Sequence, residues 1–285
     1  MKVHADELAR GERFEFGANW ARFLEVLDDS RVVEAELSLQ DMLSQEHLDG
    51  LTFLDAGSGS GLFSLAAHRV GATVHSFDFD PMSVACTAEL RRRFAPGATS
   101  WTVEEGSVLD RHYLSNLKAF DVVYSWGVLH HTGSMWHALE NVLKHVAPGG
   151  RLFIAIYNDQ GATSRRWRFL KRLYNKFTAI RPLLLMVTLL ITRTGTVVRD
   201  TVRGNPSATW NEHKRSRGMS AWHDLKDWIG GYPFEVAKPE EIFDFCKRRG
   251  FRLERLITCG GGLGCNQYVF QHDAEPVGPG AELSA

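Results

Sequence analysis

The sequence predicts an α/β fold, a doubly wound, seven-stranded and mostly parallel sheet, and three observations carry that expectation. From residue 51 to residue 157, short apolar runs alternate with helix-like segments. The first of these runs ends in a glycine-rich turn, "LDAGSGSG". Near the C-terminus two more apolar runs are joined by "CGGGLGC", which suggests an antiparallel hairpin at the end of the sheet.

Taken in order, residues 14–48 place apolar side chains at three- and four-residue spacing, so residues 1–48 are read as an N-terminal helical cap. "LTFLDAGSGSG" is a strand and its turn, and "LFSLAAHRVG" the helix that follows. "ATVHSF" is the second strand. Asp80 and Pro81 then supply a helix N-cap and a proline for its first turn, with the helix running to about Phe94. "SWTVEEG" and "FDVVYS" are the third and fourth strands, 135–146 a helix, and "RLFIAIY", after the turn "APGG", the fifth strand. "PEEIFDFCKRRG" has a proline start and a glycine stop, and "FRLERLIT" and "NQYVFQ" form the hairpin. The expected organisation is therefore a sheet domain made of 49–160 and 232–271, interrupted by an insertion at 161–231. Residues 272–285, polar with Pro and Gly, are expected to be disordered.

Over 285 residues, 44% are hydrophobic and 24% charged, with a net charge of −1, so nothing global suggests a nucleic-acid binder. The charge is uneven. Residues 161–217 hold thirteen Lys and Arg against Asp200 and Glu212. "SRRWRFLKRLYNKF" has apolar residues at helical spacing among these charges. Three readings follow: a helical lid over a site, recognition of an anionic group on a substrate, or a basic amphipathic surface that makes peripheral contact with anionic lipid. "PLLLMVTLLI" is about half the ~20 residues a membrane span needs. Cys86, Cys246, Cys259 and Cys265 show no CxxC spacing, and with no secretory leader a reduced, cytoplasmic setting is expected.

The turn after the first strand is Gly57-x-Gly59-x-Gly61, preceded by Asp55. A dinucleotide fingerprint would need a third glycine where Leu62 stands, which disfavours NAD or FAD. Asp78 ends the second strand, where a carboxylate can accept both hydroxyls of a ribose, and Phe79 follows with an apolar face for a purine.

"FLDAGSGSG", "HSFDFDP", "EEGSVLD", "FDVVYSWGVLHH" and "VAPGGRLFIAIY", in this order, resemble the motifs of class I S-adenosylmethionine-dependent methyltransferases, closest to the small-molecule, ubiquinone-biosynthesis O-methyltransferase-like subgroup. The resemblance covers about residues 51–157 and implies a Rossmann-like sheet and S-adenosylmethionine as cofactor. Asp55, Gly57, Gly59 and Gly61 would hold its methionine end, Asp78 its ribose, and Phe79, Ser107 and Val108 its adenine. Ser125 and Trp126 would line the methionine side below the sulfonium. Asn19 and Trp20 from the N-terminal helices, and Tyr157 and Asn158 after the fifth strand, are candidates for the substrate side of the same pocket.

"LHHTG" leaves the fourth strand with two adjacent imidazoles, His130 and His131. A hydroxyl or thiol acceptor must lose its proton, and imidazole titrates near neutrality, so one of the two is read as a base, with activity rising through a histidine-like pKa. Which one is left open. Related ubiquinone-type enzymes can carry Glu-x-x-Glu-His here and use a divalent metal. Gly127 and His130 replace both glutamates, so no metal is carried over. The expected function is methyl transfer to a small-molecule acceptor, foremost a hydroxyl. Alternatives are an amine, thiol or carboxylate acceptor, or a catalytically silent protein that binds the cofactor and regulates a partner.

Overall fold

The computed structural model describes residues 2–25, 27–202 and 221–274. Its sheet contains β1 (Thr52–Ala56), β2 (Thr73–Asp78), β3 (Trp101–Glu105), β4 (Phe120–Trp126), β5 (Val146–Tyr157), β6 (Phe251–Ile257) and β7 (Cys265–His272). Their order is β3-β2-β1-β4-β5-β7-β6. The pairs among β1 to β5 are parallel, and β7 runs antiparallel to both β5 and β6. The expected doubly wound fold, with its reversed C-terminal strand, is what forms.

Strand alternation feeds two cores. Leu54, Val123 and Ile154 face one side, where α7 (Met135–Leu143) and α11 (Pro239–Lys247) bring Leu139 and Ile242. Phe53, Val122 and Phe153 face the other. There α3 (Asp29–Leu43), α4 (Leu62–Arg69) and α5 (Pro81–Phe94) contribute Leu39, Leu65 and Leu90. A short α6 (Arg111–Ser115) lies between β3 and β4.

The start of α5 follows the sequence closely: Asp80 Oδ1 accepts the Met82 N–H at 2.9 Å, with Pro81 in the first turn. The N-terminal region is more divided than one periodic stretch suggests. It forms α1 (Lys2–Ala9), α2 (Gly17–Glu25) and α3, the last begun by Asp28, whose side chain accepts the Arg31 N–H. Helix α7 ends at Leu143 rather than near 146, and β5 starts at Val146, absorbing the turn "APGG" into the strand. His272, placed by sequence in the tail, ends β7 and stacks on Phe251 with ring centroids 4.5 Å apart. The remainder of the expected disordered tail, 275–285, lies outside the described residues.

The insertion supplies α8 (Ala162–Lys176), α9 (Arg181–Val202) and α10 (Ala221–Gly230). These build a third core from Tyr174, Leu184, Leu185, Leu225 and Ile229, against which Phe14 packs. The helical part of the insertion and the segment between α1 and α2 thus meet each other beyond the carboxyl ends of the strands.

Candidate active site

The strand order reverses between β1 and β4, and the loops after these two strands open a crevice there. A cavity of about 760 Å³ occupies it, within the size range of small-ligand sites. Helix α2 and the segment before it roof the cavity with Phe16, Asn19 and Trp20.

At one end are two carboxylates. Asp55 is buried and accepts the Ser64 hydroxyl at 2.5 Å. Ser64 is 2.7 Å from the Ser76 hydroxyl, which in turn accepts the Trp101 indole N–H at 2.8 Å. Because Ser64 gives its proton to a carboxylate, Ser76 must donate to Ser64. The chain therefore runs one way, from β3 through β2 and α4 to Asp55. Burial raises the Asp55 pKa to about 7, with the Ser64 hydrogen bond opposing and Asp78 adding to the rise. Asp78, half-buried, accepts the Asp80 N–H and the Gly59 N–H, each at 2.9 Å. Its pKa also rises, to about 6, chiefly from burial and despite those two bonds.

The glycine turn explains itself sterically at two positions. Gly57 has φ +93°, and a Cβ there would lie 2.4 Å from Val128 of the β4 loop. Gly61, at φ +81°, would meet the Thr87 backbone at 2.9 Å, so it lets α4 approach α5. Gly61 is accordingly not on the cavity wall, whereas Gly57 and Gly59 are.

Among the other expected residues, Phe79, Ser107, Val108, Trp126, Asn19, Trp20 and Tyr157 all line the cavity. The Arg13 guanidinium lies 4.8 Å over the Phe79 ring. Trp126 donates to Gln267 at 3.1 Å. Ser125 and Asn158 do not line it. Ser125 is fully buried and donates to the Ala56 carbonyl at 2.8 Å. Successive strand residues point to opposite faces, so Ser125 and Trp126 cannot share one wall. Asn158 accepts from the Asn266 side chain at 3.1 Å and ties β5 to β7.

The other end of the cavity is aromatic and basic. His130 and His131 are both buried and both on the wall, with ring centroids 4.5 Å apart. His130 Nδ1 accepts the Tyr157 N–H at 3.3 Å, and its ring lies 4.0 Å from that of Tyr157. His131 Nδ1 is 2.6 Å from the Pro233 carbonyl. A carbonyl only accepts, so Nδ1 carries the proton and Nε2 keeps a bare lone pair. Burial depresses both rings, His130 well below the ordinary value and His131 to about 3. Arg13 donates to the His131 carbonyl at 3.1 Å, and Phe16 packs on its ring at 4.9 Å.

Three contributors were not found from sequence. Lys171 on α8 is 0% exposed, its Nζ donating to the Trp228 carbonyl and lying 4.3 Å and 4.8 Å from the Trp228 and Phe234 ring centroids. Burial lowers its pKa to about 7, and its charge contributes to depressing both histidines. Trp228 itself lines the cavity, and its indole N–H is buried without a partner among the described residues. Asp80, beyond capping α5, accepts the Gly17 N–H at 2.7 Å and so fastens the α2 roof to the sheet domain. Only the Asp80-Pro81 pair had a sequence signal, and it signalled the helix alone.

Among the described residues no three His, Cys, Asp or Glu side chains converge as a metal site. All four cysteines are free thiols; Cys265 reaches the cavity wall, its pKa raised to about 12 by burial.

A family model described as a methyltransferase domain matches residues 22–181. A ubiquinone biosynthesis O-methyltransferase from Rhizobium leguminosarum bv. trifolii is 29% identical over 119 residues, covering 42% of this chain and 45% of that protein. A ribosomal protein methyltransferase from Methylococcus capsulatus is 27% identical over 116 residues, 40% of this chain and 36% of the relative. The matches thus span less than half the length of these relatives, whose acceptors differ in kind. Among solved structures, magnesium protoporphyrin IX methyltransferase from Synechocystis PCC 6803 superposes with TM-score 0.51 at 13% identity, covering 85% of this chain and 83% of that one. An O-methyltransferase family protein from Burkholderia thailandensis gives 0.51 at 15%, covering 95% and 68%. Those two likenesses establish the fold. Since the family model covers more than half of the chain, on the stretch that holds β1 to β5, the glycine turn and both histidines, the chain belongs to the methyltransferase-domain family, in its class I S-adenosylmethionine-dependent division.

Proposed function

We propose that the protein transfers the methyl group of S-adenosylmethionine to a hydroxyl of a small-molecule acceptor, with His131 taking the hydroxyl proton. The observation that carries this reading is the fixed tautomer of His131: Nδ1–H is held by the Pro233 carbonyl at 2.6 Å, leaving Nε2 as the basic atom of a ring on the cavity wall.

The carboxylate end suits the cofactor. Asp55 and Asp78 are held at raised pKa by burial, so hydroxyl and ammonium donors there would restore their ordinary ionisation. Asp55, Gly57 and Gly59 would hold the methionine end, Asp78 the ribose, and Phe79, Ser107 and Val108 the adenine. The cofactor supplies a methyl group already activated on a sulfonium. What this chain must add is alignment, which in favourable systems contributes up to ~7–11 kcal/mol, and a destination for the acceptor proton.

His131 is already neutral at physiological pH, because burial lowers its pKa to about 3. So weak a base takes the proton only as the methyl group bonds to the acceptor oxygen and makes that oxygen strongly acidic. That changes the pH dependence expected from sequence: no activity limb from this ring should fall near 6.5. Phe16, Tyr157 and Trp228 shape the acceptor end as an apolar, ring-lined space. The roof over the cavity favours a small acceptor over a macromolecular one.

The test is turnover. Purified protein with S-adenosylmethionine is offered phenolic, amine, thiol and carboxylic acceptors, and S-adenosylhomocysteine release is measured. Release with hydroxyl acceptors that collapses in His131→Ala supports the reading. Turnover only with another acceptor type, or none despite cofactor binding, rejects it.

A further inference from the structure

Helices α8 and α9 form an elbow: the segments Ala162–Lys176 and Thr178–Ile191 meet at 114°. Residues 162–191 contain seven Lys and Arg and no Asp or Glu. The inner side of the elbow is accounted for. Leu184 and Leu185 are buried in the third core, Lys171 lies behind the cavity, and Arg181 donates to the Tyr174 carbonyl at 2.9 Å.

The outer side exposes apolar side chains to solvent. On α9, Leu183, Met186, Leu190 and Ile191 are 54–59% exposed, and Phe169 on α8 is 61% exposed. The first part of α9 is thus apolar on both its inner and its outer face, a pattern of helices surrounded by nonpolar material on every side. Beside these residues, Arg165, Arg172 and Lys176 share one exposed stripe of α8 with Phe169, at spacings of three and four. Arg165, Arg166 and Arg172 form no ion pair with a carboxylate among the described residues.

From this juxtaposition we propose that the outer face of the α8–α9 elbow docks on an anionic lipid surface, its apolar residues entering the interface and its arginines and lysine meeting the headgroups. The charge decides between occupants. A second copy packed on this face by two-fold symmetry would bring two sets of unpaired arginines together with no acid to offset them. An anionic bilayer supplies both the apolar layer and the counter-charge. By length and composition the bent pair could span together, though no single described helix could. The elbow is placed on the surface because its inner face is already buried in the third core through Tyr174, Leu184 and Leu185. This proposal does not depend on the chemistry in the cavity.

The experiment is co-sedimentation of the full chain with phosphatidylcholine vesicles, with and without phosphatidylglycerol. Two variants accompany it, Arg165→Gln/Arg166→Gln/Arg172→Gln and Leu183→Ser/Leu190→Ser, all at exposed positions. The wild type should pellet with the anionic vesicles and be released by salt. The charge variant should bind roughly a hundredfold more weakly, at about fivefold per basic residue near the surface. The apolar variant should bind more weakly as well, while cofactor binding stays unchanged in both. Three results would each overturn the proposal: no pelleting with anionic vesicles, equal pelleting with purely zwitterionic ones, or a dimer by light scattering that the Leu183/Leu190 variant dissociates.

Discussion

The two ends of the cavity are built from opposite kinds of group under the same stress. At the β1–β2 end, burial pushes the Asp55 and Asp78 carboxyls up, to about 7 and about 6. At the β4–α8 end, burial pushes His131 down to about 3 and Lys171 down to about 7. Each end is held away from its charged form until something arrives to match it. The acidic end calls for hydrogen-bond donors and positive charge; the basic end resists a proton until negative charge is brought beside it. A ligand that is polyhydroxylated and cationic at one side, facing an acceptor that must shed a proton at the other, matches both.

The sharpest way to break this comparison is to remove the basic atom. His131→Ala should bind S-adenosylhomocysteine as the wild type does and lose 10²–10⁴ in kcat on a hydroxyl acceptor. His130→Ala should lose much less. Its Nδ1 is occupied by the Tyr157 N–H, which makes it a support for the β5 end. Stopped turnover against calorimetric affinity separates the two effects, and equal losses in both variants would dissolve the assignment.

Lys171 offers a finer cut. Its charge depresses His131, so as pH rises through about 7 the lysine neutralises and the base strengthens. Activity should therefore rise several-fold across that range in the wild type, and Lys171→Met should lose the limb while remaining active. The folded pKa lies below the ordinary 10.5. The lysine's contribution to stability is thus present above about 10.5 and lost as pH falls through about 7. Thermal unfolding should accordingly show Lys171→Met more stable than wild type at pH 6 and no different near pH 11. A limb that persists in the variant would belong to another group.

The smallest effect lies at the acidic end. Asp55 has a folded pKa above its ordinary 3.8. Its contribution to the stability of the ligand-free protein is full below about 4 and lost as pH rises through about 7. Asp55→Asn should raise the melting temperature by a few degrees at pH 8 and scarcely at pH 4, as a ΔΔG of order 1 kcal/mol would. Asp55→Asn melting equally above wild type at both pH values would place the effect elsewhere.

The same contrast shows what could be read from sequence. The acidic end is built from local patterns: a strand, a glycine turn and an acid at the end of the next strand, all within residues 53–80, and the fold follows from that periodicity. Its interior, the Trp101–Ser76–Ser64–Asp55 chain, joins three strands and a helix and leaves no local trace. Ser125 stands in the same motif as Trp126, but strand alternation turns it to the opposite face, where it donates to the Ala56 carbonyl. The basic end was half legible. Two histidines leaving a strand stand out, but a lysine in an arginine-rich helix reads as solvated. Lys171 is buried only because Trp228 and Phe234, far along the chain, fold over it. Pairing across an insertion of that length has no signature in spacing.

The central claim is that the cofactor sits on the carboxylates and the acceptor on the imidazoles. Calorimetric titration with S-adenosylhomocysteine from pH 5 to 8 tests it most directly, in buffers of different ionisation enthalpy so that proton exchange is read with affinity. If donors on the ligand restore Asp55 and Asp78 to their ionised forms, binding releases protons around pH 6–7 and affinity climbs about tenfold for each unit of pKa lowered. Asp78→Ala should then bind more weakly by roughly 1.5–3 kcal/mol and release fewer protons, while His131→Ala should match the wild type in both. Affinity that is flat with pH, with no proton release and no loss in Asp78→Ala, would contradict the account.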